Sequence, residues 1–406
     1  MRELRIIADD EVAAYVVQCG ETFDGSTPKP EEVALWSRVF ERERCLGYFE
    51  AGKLFATSGA YSLDLSLPGG GSLPTAGISA VTVQPTHRRQ GALTEMMRRL
   101  LRDAAERGEP IAALYASEGG IYGRFGFGLA SYGAELELDR AQAAMKIQPD
   151  LSGIEYLRPA AALDFITEVE RAYVPGQPGA IARPPRQWEG ELADLESHRR
   201  GRSNLYLAAF VPGSDRAGFA LYRKEMSWEG GGPSGRLHLV SLLTLSRAAY
   251  AALWRHLLDV DLMVRLIAPN RPLDEPLRHL LQDPHALRQS VGAELWLNLL
   301  DVPRALAARH YQVAGSLRVR ISSTFWPDSA GTYSLEAGPD GAECAKTGES
   351  ADLELPAQSL AAAYLGGSSF TTLYRAGQVE ECQAGALARA DAMFGWPVQP
   401  WCNTGF

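Results

Sequence analysis

Residues 77 to 93 read Gly77-Ile78-Ser79-Ala80-Val81-Thr82-Val83-Gln84-Pro85-Thr86-His87-Arg88-Arg89-Gln90-Gly91-Ala92-Leu93, and this stretch decides the fold. Its first seven residues are strand-like, and Gln84 to Ala92 form a polar loop. Beyond the loop, Leu93, Met96, Met97, Leu100, Leu101 and Ala104 fall on one helical face. Gly108 and Pro110 end that helix. Ile111-Ala112-Ala113-Leu114-Tyr115-Ala116 is then a short, continuously apolar run, as expected of a parallel strand covered on both faces. Strand, helix and strand make a βαβ unit with a right-handed crossover.

Working outward, the chain opens with a strand at Leu4 to Ile7 and helices at Asp9 to Cys19 and Glu31 to Glu41. The apolar runs Cys45 to Phe49 and Leu54 to Leu65 flank a short Gly-containing connection and predict a hairpin. Past Arg140 the character changes, and Ser152 to Pro159 reads as a linker into a loose repeat of the first domain. That repeat has a hairpin at Tyr206 to Val211 and Gly218 to Arg223, a strand at Leu237 to Leu243, a helix at Arg247 to Leu258 and a strand at Met263 to Ala268. Its strand-to-helix junction is only Thr244-Leu245-Ser246, with neither the arginines nor the glycine of the first. From Trp296 a third segment carries a helix with Pro in its first turn at Val302 to Arg309. Short strands at Leu317 to Ile321, Thr332 to Ala337 and Asp352 to Leu355, and helices at Ser359 to Leu365 and Ala384 to Phe394, make it an α+β layer. The expected domains are residues 1–150, 151–294 and 295–406.

With 406 residues, 46% of them hydrophobic, the chain exceeds what one core usually holds. A formal charge of -9 provides no basic field for phosphate backbones, which argues against nucleic acid and suits a cationic substrate. The five cysteines, Cys19, Cys45, Cys344, Cys382 and Cys402, form no C-x-x-C pair and point to neither a disulfide framework nor a zinc cage. A reducing cytoplasm is the expected location. The start Met1 to Val12 has no apolar core of a signal peptide, and no stretch approaches the roughly eighteen apolar residues of a membrane span.

The chemistry is expected in the Arg88 to Leu93 loop. Free N–H groups at a helix start, together with the positive end of its dipole, make an anion site. Gly91 lacks a Cβ that would hold a diphosphate off, and Arg88 and Arg89 supply charge-assisted donors. The plainer reading is a basic surface loop that caps a helix. Context favours the anion site, because the next strand leads into Ser117-Glu118-Gly119-Gly120 and then Ile121-Tyr122-Gly123-Arg124-Phe125-Gly126, so one pocket takes both ends of a long cofactor.

This combination resembles the Gcn5-related N-acetyltransferase superfamily, in which R-x-x-G-x-G/A binds pyrophosphate and a tyrosine after the next strand protonates the departing thiolate. Leu93 departs from that pattern, standing in place of Gly or Ala. The closer resemblance is to the mycobacterial "enhanced intracellular survival" (Eis) acetyltransferases. It is carried by Ala76-Gly77-Ile78, by Val83 with Pro85-Thr86-His87-Arg88-Arg89, and by Ala112-Ala113-Leu114 with Ala116 through Gly126. It continues through Ala220-Leu221-Tyr222-Arg223, Leu253-Trp254-Arg255, Asn298 with Val302-Pro303, Tyr364-Leu365-Gly366 and the terminal Phe406.

The resemblance implies an α/β and α+β chain: two tandem Gcn5-related acetyltransferase-like domains, the first catalytic and the second degenerate, followed by a sterol-carrier-like domain. It implies a homohexamer that uses acetyl-CoA, and no metal, to acetylate amines of aminoglycosides or lysine. On this basis Val81, Thr82 and Val83 run beside the pantetheine. Arg88, Arg89, Gln90, Gly91, Ala92, Leu93 and Thr94 surround the diphosphate, and Ser117 and Glu118 border the arm. Tyr122 is the general acid, and the α-carboxylate of Phe406 is the base. A carboxylate is a chemically sound acceptor for the proton of an ammonium, whose pKa lies near 10. The segment Trp396 to Phe406 has no charged side chain and two tryptophans, which is unusual for a fraying tail.

Asp24 and Trp36 are the candidate walls for a cationic acceptor, with Glu31 and Glu32 read as solvated surface. His87 reads as a loop residue rather than a base, and Tyr115 carries no assigned role. Two rival readings remain: an acetyl-CoA sensor without turnover, and a lipid carrier acting through the C-terminal domain.

Overall fold

The computed structural model describes residues 2–23 and 25–406; Met1 and Asp24 lie outside the described residues. The chain forms two compact units. One holds the N-terminal residues through Ser131, Glu294–Pro400 and Thr404–Phe406; the other holds Tyr132–Ala293 and Trp401–Asn403.

In the first unit, strands β1 (Arg2–Ile6), β2 (Leu46–Glu50), β3 (Lys53–Ser66), β4 (Ser72–Val83) and β5 (Ile111–Tyr115) lie side by side in that order. Residues Leu295–Leu299 and strand β6 (Gly128–Leu129) extend the sheet beyond β5. Helices α1 (Val12–Phe23) and α2 (Pro30–Val39) precede β2, α3 (Ala92–Glu106) crosses from β4 to β5, and α4 (Gly119–Tyr122) follows β5. The expected βαβ unit is present, with β4 and β5 parallel from Thr75 opposite Ile111 to Ile78 opposite Leu114.

Helix α3 forms because its apolar residues recur at helical spacing: Met96, Met97, Leu100, Leu101 and Ala104 are buried. They meet Ala60, Ala76, Ile78, Ala112 and Leu114 on one face of the sheet. The helix closes in a Schellman turn, in which Gly108 at φ 74° donates to the Ala105 carbonyl and Glu109 to that of Ala104, each at 3.0 Å. Because side chains alternate along strands, Tyr61, Leu63, Gly77, Ala113 and Tyr115 point to the opposite face. On that face the Tyr61 ring stacks on Phe40, which meets Tyr15 of α1 edge-on.

The division of the chain differs from the expected boundaries at 150 and 294. Strand β7 (Tyr132–Asp139) belongs to the sheet of the second unit, between Met263–Arg271 and Leu287–Ala293. Residues Leu295–Leu299 pair antiparallel with β5 in the first. In β7, Ala134, Leu136 and Leu138 alternate with less buried residues, so a core and strand partners are found only where that face is covered. The segment expected as a linker, Ser152 to Pro159, contains a strand instead. Ile154–Leu157 pairs antiparallel with Tyr206–Phe210, which satisfies its backbone and half-buries Ile154 and Leu157.

The second unit repeats the motif of the first, with Gly235–Thr244 and Met263–Arg271 parallel and helix Arg247–Asp259 between them. The start of that helix is closed by Ser246, whose hydroxyl accepts from the Ala249 amide at 3.1 Å.

Residues Gly315–Ser322, Gly331–Gly338, Gly341–Lys346, Leu353–Pro356 and Glu380–Glu381 form a separate five-stranded sheet in the first unit. The hairpin strand Gly341–Lys346 and the helix Phe370–Arg375 were not anticipated. Arg309 is fully buried there, donating to the carbonyls of Tyr364 and Phe394 and packed over the rings of Tyr311 and Phe394.

A second buried cation, Arg44, makes a two-pronged pair with Glu109 at 2.6 and 2.7 Å, just past the end of α3. Removing one partner strands the other charge away from water, at a cost of about 3–5 kcal/mol. Glu109→Ala should lose that much in a chemical-denaturation experiment, and Glu109→Ala combined with Arg44→Met should recover part of it.

Candidate active site

Strand β4 outruns its parallel partner. After Ile78 it continues to Val83 with no strand beside it on the β5 side. A bulge bends it at this point: Thr57 pairs with Thr82 and Gly59 with Ser79, so Ala80 and Val81 oppose the single Ser58, and Ala80 sits at φ 54°. Thr57 fixes the bulge by donating to the Ala80 carbonyl at 2.8 Å while accepting from the Thr82 hydroxyl at 2.6 Å. The Thr82 side chain is therefore committed to the fold, and only its backbone remains for a ligand. Val81 and Val83 are half-buried along the same free edge.

The loop that follows is held from beneath. His87 stacks on Phe55 at 4.4 Å, with Nε2 3.1 Å from Glu50 and Nδ1 2.8 Å from the Thr86 hydroxyl, which is a scaffolding role. Arg88 and Arg89 are exposed; Arg88 Nε donates to the Val83 carbonyl at 3.3 Å, and Arg89 adopts φ 61°. Gly91 lies at φ 91° in open space, where a side chain would be strained. It precedes α3 without a side-chain cap.

Among the described residues, nothing accepts from the amides of residues 89 to 94. This is the reverse of the second unit, where Ser246 occupies the helix start. Leu93, which departs from the superfamily pattern, packs its side chain against two clusters of the core. Gln90 is tied down through Thr86 and Arg2, Ala92 is buried, and Thr94 is half-buried.

Ser117 and Glu118 are exposed at the end of β5, ahead of α4. Tyr122 closes α4 with its ring edge-on to Phe125 and Phe127, at 6.5 and 6.2 Å, on the α3 face of the sheet. It keeps 7% of its surface accessible, and its hydroxyl has no partner among the described residues. Burial, with the Glu118 carboxylate adding to it, raises the phenol above its ordinary pKa.

The chain terminus reaches the opposite face. Tyr115 donates to the Thr404 carbonyl at 2.8 Å, and its ring lies edge-on to Phe406 at 5.3 Å. Phe406 covers Gly77 closely enough that a Cβ there would stand 3.0 Å from its ring. Trp36, half-buried on α2, adjoins Phe40 at 6.1 Å on this same face. Glu31 is exposed, Glu32 accepts from the Lys29 amide as a helix cap, and Asp24 lies outside the described residues.

In the second unit, Trp401 donates to Asn270, and Asn403 donates to Glu170 and to the Ile181 carbonyl. Tyr115 and Gly77 were not read as site residues, because their relation to the terminus spans almost the whole chain. The only signal in the sequence is the uncharged, tryptophan-rich tail.

Two acetyltransferase (GNAT) domain models match residues 3–130 and 179–318, and a sterol carrier protein domain model matches residues 302–403. The chain is 37% identical over 406 residues to an "uncharacterized N-acetyltransferase" of Streptomyces avermitilis, covering all of this chain and 99% of that one. It is 34% identical over 347 residues to N-acetyltransferase Eis of Mycobacterium tuberculosis, covering 82% of this chain and 81% of that protein. The crystal structure of Eis1 from Mycobacterium abscessus superposes with a TM-score of 0.87 at 31% identity, covering both chains fully.

Two acetyltransferase domains ahead of a sterol-carrier-like domain define a Gcn5-related N-acetyltransferase, a class that uses acetyl-CoA. Within that class the chain belongs to the Eis-type family.

The raised phenol has a direct consequence. In an absorbance titration of wild-type protein against Tyr122→Phe, the Tyr122 phenolate should form at higher pH than that of an ordinary tyrosine, so that the phenol stays protonated throughout the neutral range.

Proposed function

We propose that the first domain binds acetyl-CoA in the gap between β4 and β5 and transfers its acetyl group to a primary amine of an aminoglycoside-like polyamine or a lysine. The observation that carries this reading is the pairing of a free strand edge with an uncapped helix start. Residues 79–83 pair with β3 on one side but lack a strand partner on the β5 side, and the amides of residues 89–94 lack acceptors among the described residues. Four or more backbone donors beside two exposed arginines suit a diphosphate, and the extended edge suits an amide-bearing arm. Bound acetyl-CoA supplies the activated acyl group as a thioester.

In this reading Val81 and Val83 orient the arm through their backbone groups, with Thr82 locking the strand. Arg88 and Arg89 neutralise the diphosphate, and Ser117 and Glu118 border the far end. Tyr122, protonated at neutral pH, gives its proton to the departing sulfur. The Phe406 α-carboxylate takes the proton of the acceptor ammonium. Tyr122 and the Phe406 ring pack on opposite faces of the sheet. Trp36 lies on the Phe406 side, where an acceptor enters. The net charge of -9 favours a cationic acceptor, and the dependence on acetyl-CoA carries a cytoplasmic location with it. A homohexamer is part of the same reading. The lipid-carrier alternative would place the function in the C-terminal domain, where Arg309 lies buried over the rings of Tyr311 and Phe394.

Arg88→Ala and Arg89→Ala should each raise the KM for acetyl-CoA about tenfold, the cost of one charge-assisted bond, with kcat within twofold. Steady-state kinetics with a lysine or aminoglycoside acceptor checks this, and an unchanged KM removes the arginines from the site. Tyr122→Phe should lower kcat by about 100-fold, the scale of one general acid, while calorimetry finds acetyl-CoA binding intact. A variant that binds and turns over normally would overturn the assignment.

A further inference from the structure

We infer that Tyr115 is the positioning residue for the C-terminal carboxylate. It clamps the last three residues so that a group with no side chain of its own is held at a fixed place. The inference rests on the reading of Phe406 as the proton acceptor, and it asks what holds that acceptor still.

A terminal carboxylate is a poor general base by default. The last residues of a chain carry the least backbone hydrogen bonding and the most freedom, and a base outside hydrogen-bond reach of its proton contributes little. Here the end of the chain is held at two points. The Tyr115 hydroxyl donates to the Thr404 carbonyl at 2.8 Å, which fixes the backbone two residues before the terminus. The ring of the same Tyr115 meets the Phe406 ring edge-on, with centroids 5.3 Å apart and planes at 77°.

A third contact comes from beneath. Gly77 opposes Ala113, two residues before Tyr115 on the same face, and the Phe406 ring lies over the bare Gly77 Cα. One side chain thus supplies both a hydrogen bond and an aromatic wall, and the glycine supplies the room. The α-carboxylate is joined to the Phe406 Cα with only one rotatable bond between them. Once the Thr404 carbonyl and the Phe406 ring are fixed, its reach is restricted to a few ångströms.

Tyr115 stands at the end of β5, one residue past Leu114, the last residue that pairs with β4. It therefore lies at the point where the two strands part. The half-buried Phe406 ring packs against it there.

The test separates Tyr115 from the carboxylate itself, using the full-length protein. Tyr115→Phe removes the hydrogen bond and keeps the ring; Tyr115→Ala removes both. Deletion of Phe406 removes the carboxylate from its place. Initial rates are measured from pH 7 to pH 10.5 with a lysine-like amine and saturating acetyl-CoA.

If Tyr115 positions the base, Tyr115→Phe lowers kcat about fivefold and Tyr115→Ala about fiftyfold at pH 7, with KM for acetyl-CoA within twofold. The ratio of wild-type to variant kcat then falls towards one as the acceptor loses its own proton above pH 10, where no base is needed. A loss of fold alone gives a ratio independent of pH, and that result overturns the proposal. Combining Tyr115→Ala with the Phe406 deletion adds nothing beyond the deletion, since both remove one function; additive losses overturn it as well. If the deletion itself leaves kcat intact, the reading of the carboxylate as proton acceptor fails. If the deletion is damaging and Tyr115→Phe and Tyr115→Ala are silent, the assignment of Tyr115 alone fails.

Discussion

The parting of β4 from β5 after Ile78 and Leu114 is the constraint from which the rest of the site follows. Two parallel strands that stayed paired would satisfy each other's backbone and leave nothing for a ligand. The bulge at Ala80, pinned by Thr57, turns β4 away and exposes a row of backbone groups beside an open wedge. The loop with Arg88 and Arg89 follows directly on the end of β4, Tyr122 packs on the α3 face of the sheet, and the Phe406 ring packs on the other.

The two units show how little separates an uncapped strand-to-helix junction from a capped one. Both carry strand, helix and strand with the same parallel pairing. In the second, Ser246 accepts from the third amide of its helix and the short junction brings no cation. In the first, Gly91 at φ 91° begins α3 with no side-chain cap, and the first amides have no acceptor among the described residues. A helix start left unsatisfied costs stability unless water or a guest fills it, and an anion is the guest that the dipole favours. The second unit has instead taken up the residues just before the terminus, through the buried Glu170 and its bond to Asn403.

Much of this was legible in the sequence because it is local. The βαβ unit was announced by a change in hydrophobic period from two to helical spacing between Val83 and Leu93, and the loop by glycine and paired arginines directly before an apolar face. The repeat in the second domain and its plain junction were legible for the same reason. What escaped notice depends on partners far away in the chain. Strand β7 alternates as any half-buried strand does, and nothing within it says which sheet it joins. Ile154–Leu157 is only four residues long, and its burial is supplied by Tyr206–Phe210. Tyr115 reads as one more apolar residue of a buried strand, and its bond to Thr404 crosses 289 positions.

The most direct measurement of the central claim is amide hydrogen exchange, followed peptide by peptide with and without coenzyme A. If the wedge and the uncapped helix start hold the cofactor, added coenzyme A slows exchange in peptides covering residues 79–94 and 117–122, and leaves the Thr244 to Ala249 junction unchanged. Unaltered exchange across residues 89–94 at saturating coenzyme A, with protection elsewhere, would contradict it.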